Sequence, residues 1–344
     1  MKLSELGEFG LIALIAGQAG ATGSPVISGI GDDCAVVETA SRDRRLLLTT
    51  DTLTEGVHFL KRTSPPRLLG RKALAVNLSD VAAMGGTPVV FTVNFTAPPE
   101  LPVEWAEAFY AGVMERANAE GAALVGGDTS SSSGAISISV TLLGECPEDE
   151  IVYRRGARPG DGIFLTGWPG ESAAGHAILG AGGEQSPVAP GPGSERAPEL
   201  ERMVMRHLDP DPRLAAGRHI AAGGIASAMI DVSDGVAADL AHILERSRLG
   251  ARLEAGLLPL SDPLRKAAAH LGLNPATLAL TGGEDYELLF TAQKTLDVTQ
   301  LSRALSLEVT RIGEITGPGT ALDIRDADGA PLTLPDSGYR HFEA

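Results

Sequence analysis

The 344-residue chain contains little cysteine and few aromatic residues. Its two cysteines, Cys34 and Cys146, lie far apart and form no CxxC pair, which argues against a disulfide framework or a structural zinc site. This cysteine usage suits a reducing compartment, so we expect a cytoplasmic protein. Only 4% of the residues are aromatic while 42 are glycine, so Val, Leu, Ile and Ala must supply most of the core. The composition favours an α/β or α+β fold with many tight turns.

The chain also lacks long hydrophobic runs and an excess of basic charge. The apolar stretch at 11–16 is short and has no basic flank, so it predicts an amphipathic helix rather than a signal peptide. No run is long enough to span a bilayer, and we expect no membrane partner. The formal net charge of −16 would repel nucleic acid phosphates, so we expect no nucleic acid partner either. The same charge would repel ATP unless divalent cations intervene.

The known phosphate-binding signatures are missing as well. No Walker-type GxxxxGK[ST] segment and no protein-kinase motif set occurs in the chain. A polyphosphate site would therefore have to use metal ions, backbone N–H groups and a few bases such as Arg154. Arg71 and Lys72 fall on a predicted helix, where such residues are usually solvated or salt-bridged, and we leave them out of the predicted site.

Apolar periodicity predicts alternating strands and helices in both halves of the chain. We expect an N-terminal α/β domain with a mixed sheet over 1–148 and a C-terminal α/β domain over 149–344, ending in a hairpin-like tail. A Gly/Pro/Ser-rich stretch near 180–198 has no apolar period and predicts a mobile insertion. The predicted strands cover 46–51, 89–95, 123–125, 136–143, 163–166, 228–230 and 287–291, and the predicted helices cover 67–83, 104–120, 213–222, 236–248 and 296–305.

Six acidic clusters lie beside glycine or at predicted strand ends. A single Asp at such a position is usually a helix cap or a turn former. Caps do not explain the repetition at strand after strand, and ligands of open α/β sheets gather at these ends. Carboxylates and hydroxyls are the hard oxygen ligands that Mg²⁺ prefers, so the pattern predicts a metal–phosphate site. The clusters are GDD at 31–33, TTD at 49–51, SD at 79–80, GGDT at 126–129, DVSD at 231–234 and GGED at 282–285.

We find no nucleophile–base pair in the sequence, and phosphoryl transfer needs none. The reaction depends chiefly on positioning and charge neutralisation, with little covalent chemistry for protein groups. His58 follows the Asp51 strand closely. A lone histidine is more often structural, but this position also allows contact with an anionic substrate. Cys34 is interpreted as a small buried residue rather than a nucleophile.

Taken in order, these segments resemble the thiamine-monophosphate kinase family, whose superfamily also contains aminoimidazole ribonucleotide synthetase and selenophosphate synthetase. The resemblance spans nearly the whole chain, and the set of segments is specific although GGDT or DVSDG alone would not be. The matching segments are GEFGLI at 7–12, GIGDDCAV at 29–36, TTDTLTEGVHF at 49–59, NLSDVAAMGGTP at 77–88, GGDT at 126–129, DVSDG at 231–235, GGEDYELLF at 282–290 and GYRHF at 338–342.

The resemblance implies direct in-line transfer of the γ-phosphate of ATP to thiamine monophosphate, the final step of thiamine diphosphate biosynthesis. It implies several Mg²⁺ ions, ATP as co-substrate, no catalytic protein nucleophile, and a homodimer formed through the N-terminal domains. The implied metal ligands are Asp33, Thr49, Thr50, Asp51, Asp80, Asp128, Asp231 and Asp234. The implied ATP contacts are Gly127, Asp128, Arg154 and Ser233, and the implied contacts to thiamine monophosphate are His58, Glu284 and Tyr339.

Two questions stay open at the level of sequence. The family commonly has Arg-Ser-Gly-Ala where this chain has RRGA at 154–157, so either Arg154 or Arg155 could contact ATP. Two other functions also compete: a sister ATP-dependent synthetase that closes an amidine ring, and a non-catalytic nucleotide or metal sensor. The GGEDYEL and GYRHF segments favour the kinase over the synthetase, and the complete set of acidic ligands argues against the sensor.

Overall fold

Two six-stranded sheets, each with helices packed against it, organise the chain. The computed structural model describes residues 3–19, 23–41, 43–181, 197–334 and 338–339. Both sheets are mixed, with one parallel strand pair among antiparallel ones, which confirms the predicted α/β fold class. Most of the predicted insertion, residues 182–196, and the end of the GYRHF segment, residues 340–342, lie outside the described residues. The domain boundary near residue 148 stays a prediction.

The N-terminal sheet has the strand order β1-β2-β3-β6-β4-β5, and only β4 and β5 run parallel. Leu47, Phe91 and Val140 are buried on one face of it. Because successive side chains of a strand point to opposite faces, Thr49 and Asp51 share this covered face and Thr50 lies on the open one. The elements are α1 Leu3–Leu6, α2 Glu8–Ala19, β1 Val26–Ser28, β2 Ala35–Glu38, β3 Arg44–Thr54, α3 Pro66–Ala83, β4 Thr87–Ala97, α4 Val103–Glu120, β5 Ala123–Ser131 and β6 Ser137–Pro147.

The C-terminal sheet has the strand order β12-β9-β11-β7-β10-β8. Strands β11 and β12 both pair with β9, one on each side of it, and β12 runs parallel to β9. The predicted hairpin-like tail corresponds to the segment after β12, where Arg325 and Pro331 form an antiparallel bridge across a turn. The elements are β7 Asp161–Thr166, α5 Glu171–Ala181, α6 Pro198–Leu208, α7 Leu214–Ala222, β8 Ala228–Asp231, α8 Val236–Ser247, β9 Leu249–Glu254, α9 Asp262–Leu271, α10 Pro275–Thr281, β10 Leu288–Gln293, α11 Val298–Leu305, β11 Val309–Pro318 and β12 Leu322–Arg325.

Helix α3 lies between the two sheets and is buried over most of its length. It contacts α4 and α7 so closely that glycine is required at the contact points. A Cβ on Gly112 would lie 1.8 Å from the carbonyl oxygen of Arg67, and one on Gly217 would lie 2.0 Å from that of Ala82. The polar residues of α3 are therefore buried as well and need partners from both halves of the chain.

One hydrophobic cluster continues from the N-terminal half into the C-terminal half. It joins Leu47 and Phe91 of the first sheet to Phe164 and Phe290 of the second, whose rings stack with centroids 5.4 Å apart. This shared core places the carboxyl end of β8 beside α3 and the middle of β3. In the described part of the chain, no helix is long and apolar enough to cross a membrane.

Candidate active site

A cavity of about 560 Å³ opens between the two halves. Its walls come from β3 and α3 on one side and from the segments after β8 and α10 on the other. The cavity brings together eight residues that the sequence analysis placed in the site, although they are spread over most of the chain. They are Asp51, His58, Asp80, Asp231, Ser233, Asp234, Glu284 and Tyr339.

Three carboxylates meet at the buried end of this cavity. Asp33 precedes β2, Asp80 lies in the last turn of α3, and Asp231 ends β8, yet one oxygen of each lies within 4.8 Å of the others. We call Asp33, Asp80 and Asp231 the carboxylate triad. The side chain of Asp33 is fully buried, and its Oδ2 has no hydrogen-bond partner in the described part of the chain. A buried anionic oxygen without a donor is a position that a cation would satisfy.

Neighbouring side chains fix the triad in place. The Thr49 hydroxyl donates to the Asp80 carboxylate, and Ser79 Oγ donates to Asp231 Oδ2 at 2.7 Å. The backbone N–H of Asp51 donates to Asn77 Oδ1 at 3.0 Å. These contacts leave the remaining carboxylate oxygens available, and all of them are hard donors of the kind that magnesium takes.

Burial and mutual repulsion raise the pKa values of these acids. Burial, opposed in part by a hydrogen bond from Asp80, raises the pKa of Asp51 to about 6. Burial and then Asp33 raise the pKa of Asp231 to about 8, although Ser79 and Arg154 lower it. The pKa of Asp80 is raised well above its usual range by burial, Asp51 and Asp231. The group therefore disfavours full ionisation unless a cation joins it.

Of the two candidate arginines, Arg154 reaches the triad. Its Nη2 lies 2.6 Å from Asp33 Oδ1, and its backbone N–H donates to Asp32 Oδ1 at 3.0 Å. The Arg155 guanidinium instead lies over the Tyr153 ring, 4.6 Å from its centroid. The geometry thus favours Arg154 at the site, while its contact with ATP stays a prediction.

Six residues from the sequence analysis do not line the cavity; Asp33, Thr49 and Arg154 belong to the triad or contact it, and the other three lie away from it. Thr50 is on the open face of the N-terminal sheet, where its hydroxyl donates to the carbonyl oxygen of Val140 at 3.0 Å. Asp128 is exposed on the same face of β5, an edge strand that β6 and β4 separate from β3. Gly127 lies against the partner strand, and a Cβ there would lie 2.0 Å from the carbonyl oxygen of Val93. A role for these residues stays a prediction.

The other end of the cavity is built around Glu284. The residue has a φ of +63°, and its N–H donates to the carbonyl oxygen of Ser233 at 2.7 Å. His58 accepts from the Thr54 N–H through Nδ1 at 3.0 Å, which sets the direction of its ring. Tyr339 donates its backbone N–H to the carbonyl oxygen of Asp234 at 3.2 Å, and its side chain is half exposed.

Sequence reasoning missed several residues of this cavity, among them His176, His207 and Tyr286, which line its walls. Lys72, which the sequence analysis left out, is buried and paired with Glu284. A signal for its burial was available, because the four residues after it, 73–76, are all apolar and cover every face of one helical turn. His207 carries no comparable signal, since a histidine near a helix end is common.

We expect the metal-free protein to become more stable as the pH falls from 8 to 6. The folded-state pKa values of Asp231, about 8, and of Asp51 and Asp32, each about 6, lie above the usual value of 3.8. The folded chain therefore holds protons more tightly than the unfolded chain does, and protonation keeps favouring folding until the pH approaches the unfolded-state value of 3.8. Thermal unfolding in EDTA at several pH values measures this trend.

Magnesium should raise the unfolding temperature more at pH 8 than at pH 6, because the ion competes with the protons on the triad. Asp285, whose pKa burial raises to about 7, contributes to the pH trend but lies outside the triad. Comparing the unfolding temperatures with and without Mg²⁺ separates the contribution of the triad from that of Asp285. An Mg²⁺ effect of equal size at both pH values would contradict this prediction.

Comparison with known proteins connects this geometry to one group of enzymes. Residues 31–146 match the family described as AIR synthase related protein, N-terminal domain, and residues 158–324 match AIR synthase related protein, C-terminal domain. The chain is 40% identical to thiamine-monophosphate kinase of Escherichia coli (strain K12) over 342 residues, which cover 98% of each chain. It is 41% identical to thiamine-monophosphate kinase of Aquifex aeolicus, over 88% of this chain and 93% of that one.

Solved structures give the same relationship. The chain superposes with a TM-score of 0.85 on AaThiL complexed with AMPPCP and TMP, at 38% identity over 99% of both chains. It also superposes with a TM-score of 0.75 on thiamine-monophosphate kinase from Stenotrophomonas maltophilia K279a, at 36% identity over 90% of this chain and 93% of that one.

Proposed function

Because this chain belongs to the thiamine-monophosphate kinase family of AIR synthase related proteins, we propose that it transfers the γ-phosphate of ATP to thiamine monophosphate. The products would be ADP and thiamine diphosphate, as in the final step of thiamine diphosphate biosynthesis. The chain is an enzyme of the thiamine-phosphate kinase class. The relative complexed with AMPPCP and TMP supports both substrates.

The carboxylate triad, with its unpartnered Asp33 oxygen, is the observation that carries the proposal. Magnesium takes one or two carboxylates per ion and completes its octahedron with water and substrate phosphates. Asp33, Asp80 and Asp231 fit this preference, and Thr49, Asp51 and Asp234 lie on the same or adjoining segments. Bound there, several Mg²⁺ ions would supply the charge neutralisation that two polyanionic substrates need.

The side chains around the triad would position the two substrates. Arg154 carries a guanidinium beside Asp33 and would contact the ATP phosphates, and Ser233 would contact them from the loop after β8. Glu284, His58 and Tyr339 would hold thiamine monophosphate at the other end of the cavity. The acceptor oxygen belongs to a phosphate that is already anionic, so the chain need not supply a general base.

We further propose a homodimer formed through the N-terminal sheet. Strand β5 is an edge strand, and the sheet face that carries Thr50 and Asp128 is open. An exposed edge and an open face are surfaces that a second copy could cover. Gly127 and Asp128 lie at this edge, away from the cavity of their own chain, so the contact with ATP that we propose for them would be made to the ATP of a second copy. Both cysteines are free and buried, which fits the cytoplasmic location that we propose.

An assay with ATP, Mg²⁺ and thiamine monophosphate tests the proposal. We expect ADP and thiamine diphosphate to form in equal amounts, with unphosphorylated thiamine as the negative acceptor control and EDTA abolishing both products. Release of ADP and inorganic phosphate without thiamine diphosphate would favour the sister synthetase. Nucleotide binding with no ADP formed under any of these conditions would favour the sensor, and either result would contradict the kinase.

A further inference from the structure

Lys72 is a buried cation that pairs with Glu284, a residue of the cavity wall. It lies in the second turn of α3, its side chain is 3% exposed, and its Nζ is 2.9 Å from Oε1 of Glu284. Burying an ammonium group is costly unless a paired anion compensates it. The pair joins the N-terminal half to the loop before β10, and it does so at the end of the cavity opposite the triad.

Glu284 is held in one orientation by this pair and by its own backbone. Its Oε2 lies 3.3 Å from His207 Nδ1, and its positive φ turns the side chain away from the path of the strand. Burial alone would raise the pKa of Glu284, but Lys72 and then His207 offset that effect, and the pKa lies below its usual value. The carboxylate is therefore ionised although it is largely enclosed.

His207 lies beside the same carboxylate as a neutral ring. Burial, followed by the charge of Lys72, lowers its pKa to about 3, so the ring is uncharged at neutral pH. Its Nδ1 is the ring nitrogen that faces Glu284. Ser172 Oγ lies 3.1 Å from the same nitrogen. The charge that keeps Glu284 ionised thus comes mainly from Lys72.

We propose that Lys72 is a positioning residue for recognition of the acceptor, and this rests on the proposed function. It holds Glu284 ionised and aimed into the cavity, as a fixed hydrogen-bond acceptor for an N–H group of an amino-substituted heterocycle. Lys72 and His207 each occupy one carboxylate oxygen, and each oxygen keeps a further lone pair for a ligand. A site of this kind disfavours analogues that lack the donor, because the carboxylate then loses water without gaining a hydrogen bond from the ligand.

The test compares Lys72→Met with Arg71→Met, its neighbour on α3. Arg71 also forms an ion pair, with Asp209 at 2.9 Å, but Asp209, unlike Glu284, does not line the cavity. We expect Lys72→Met to raise KM for thiamine monophosphate by about 10- to 100-fold, the effect of losing one charged hydrogen bond. KM for ATP should stay within about threefold, and Arg71→Met should leave both KM values within the same range.

A pH profile distinguishes this role from simple loss of packing. In Lys72→Met, unopposed burial raises the pKa of Glu284, so KM for thiamine monophosphate should rise further between pH 8 and pH 6. His58, His207, Tyr286 and Tyr339 also face Glu284 electrostatically. Glu284→Gln in the Lys72→Met background removes the titrating carboxylate, so the added pH dependence should disappear there.

If Lys72→Met does not fold, the double variant Lys72→Met/Glu284→Gln still tests the proposal, because it removes both charges of the pair and leaves neither unpaired. Its pH profile is then compared with that of Glu284→Gln alone, and the two should agree. Three results would overturn the role of Lys72. The first is an equal rise of KM for ATP and for thiamine monophosphate in Lys72→Met, and the second is an equal effect of Arg71→Met. The third is an added pH dependence that persists without the Glu284 carboxylate. Wild-type protein that forms no thiamine diphosphate would instead contradict the proposed function, and with it the acceptor role.

Discussion

Replacing Asp80 by asparagine is expected to lower kcat by about 10³-fold while the protein stays folded. Asp80 contributes one of the three carboxylates that lie within 4.8 Å of each other at the buried end of the cavity. An amide is neutral and a weaker ligand for magnesium, so the charge that two polyanionic substrates require would be lost. The fold should tolerate the change because asparagine has nearly the same shape.

Two measurements check this expectation. The first is kcat of the Asp80→Asn variant over a range of Mg²⁺ concentrations. Raising the Mg²⁺ concentration should not restore its activity. The second is the unfolding temperature in EDTA at pH 8, which should not fall, because burial and the neighbours Asp51 and Asp231 already disfavour a charge on Asp80. Asp323→Asn is the matched control, since that carboxylate is on the surface and pairs with Arg325. A variant that keeps a tenth or more of the wild-type kcat would refute the role given to Asp80.

Replacing Glu287 by alanine is expected to lower the free energy of unfolding by about 3–5 kcal/mol. The side chain of Glu287 is fully buried and accepts from Arg206 Nη2 at 2.6 Å and from Arg213 Nε at 2.7 Å. It also accepts from Thr166 Oγ1 at 2.8 Å. Removing the carboxylate would leave two partly buried guanidinium groups without their shared anion, and that loss outweighs the packing change.

Urea unfolding at neutral pH measures the loss. Asp211→Ala is the control, because Asp211 also pairs with Arg213, at 2.8 Å, but its side chain is 56% exposed. An exposed pair of this kind contributes only about 0–1 kcal/mol. Glu287→Ala should also raise KM for thiamine monophosphate, since Glu284 lies on the same segment. A Glu287→Ala variant as stable as Asp211→Ala would contradict the prediction.

Much of the fold was predictable because its elements carry strong local patterns. The apolar run at 46–51 and the periodic stretch at 67–83 correspond to β3 and α3, whose observed bounds extend a few residues further. The strand β9 was missed because it follows α8 with a single intervening residue, so no turn signal separates the two. The insertion of β6 between β3 and β4 depends on long-range pairing, and no local pattern encodes it.

The acidic residues of the site were predictable, although the sequence analysis gave some of them the wrong positions within their elements. Asp51, Asp80 and Asp231 meet in the cavity, but only Asp231 ends a strand, whereas Asp51 lies within β3 and Asp80 in the last turn of α3. Thr50 could have been excluded from the covered face at the start, because it alternates with Thr49 and Asp51 along one strand. The position of Asp128 required the strand order. Lys72 was left out as a solvated or salt-bridged helix residue; it is salt-bridged, but the partner is Glu284 of the cavity wall, which no local pattern indicates.

The burial of α3 between the two sheets has a consequence for the size of the acceptor. Lys72 and Asp80 lie on this one helix, eight residues apart, which corresponds to about 12 Å along its axis. A buried helix cannot bend or slide without disturbing both cores, so α3 keeps a fixed length and position. If the proposed roles hold, α3 sets the distance between Glu284, which would bind the heterocycle, and the triad, which would hold the metal ions. Acceptors would then be selected by length as well as by chemistry.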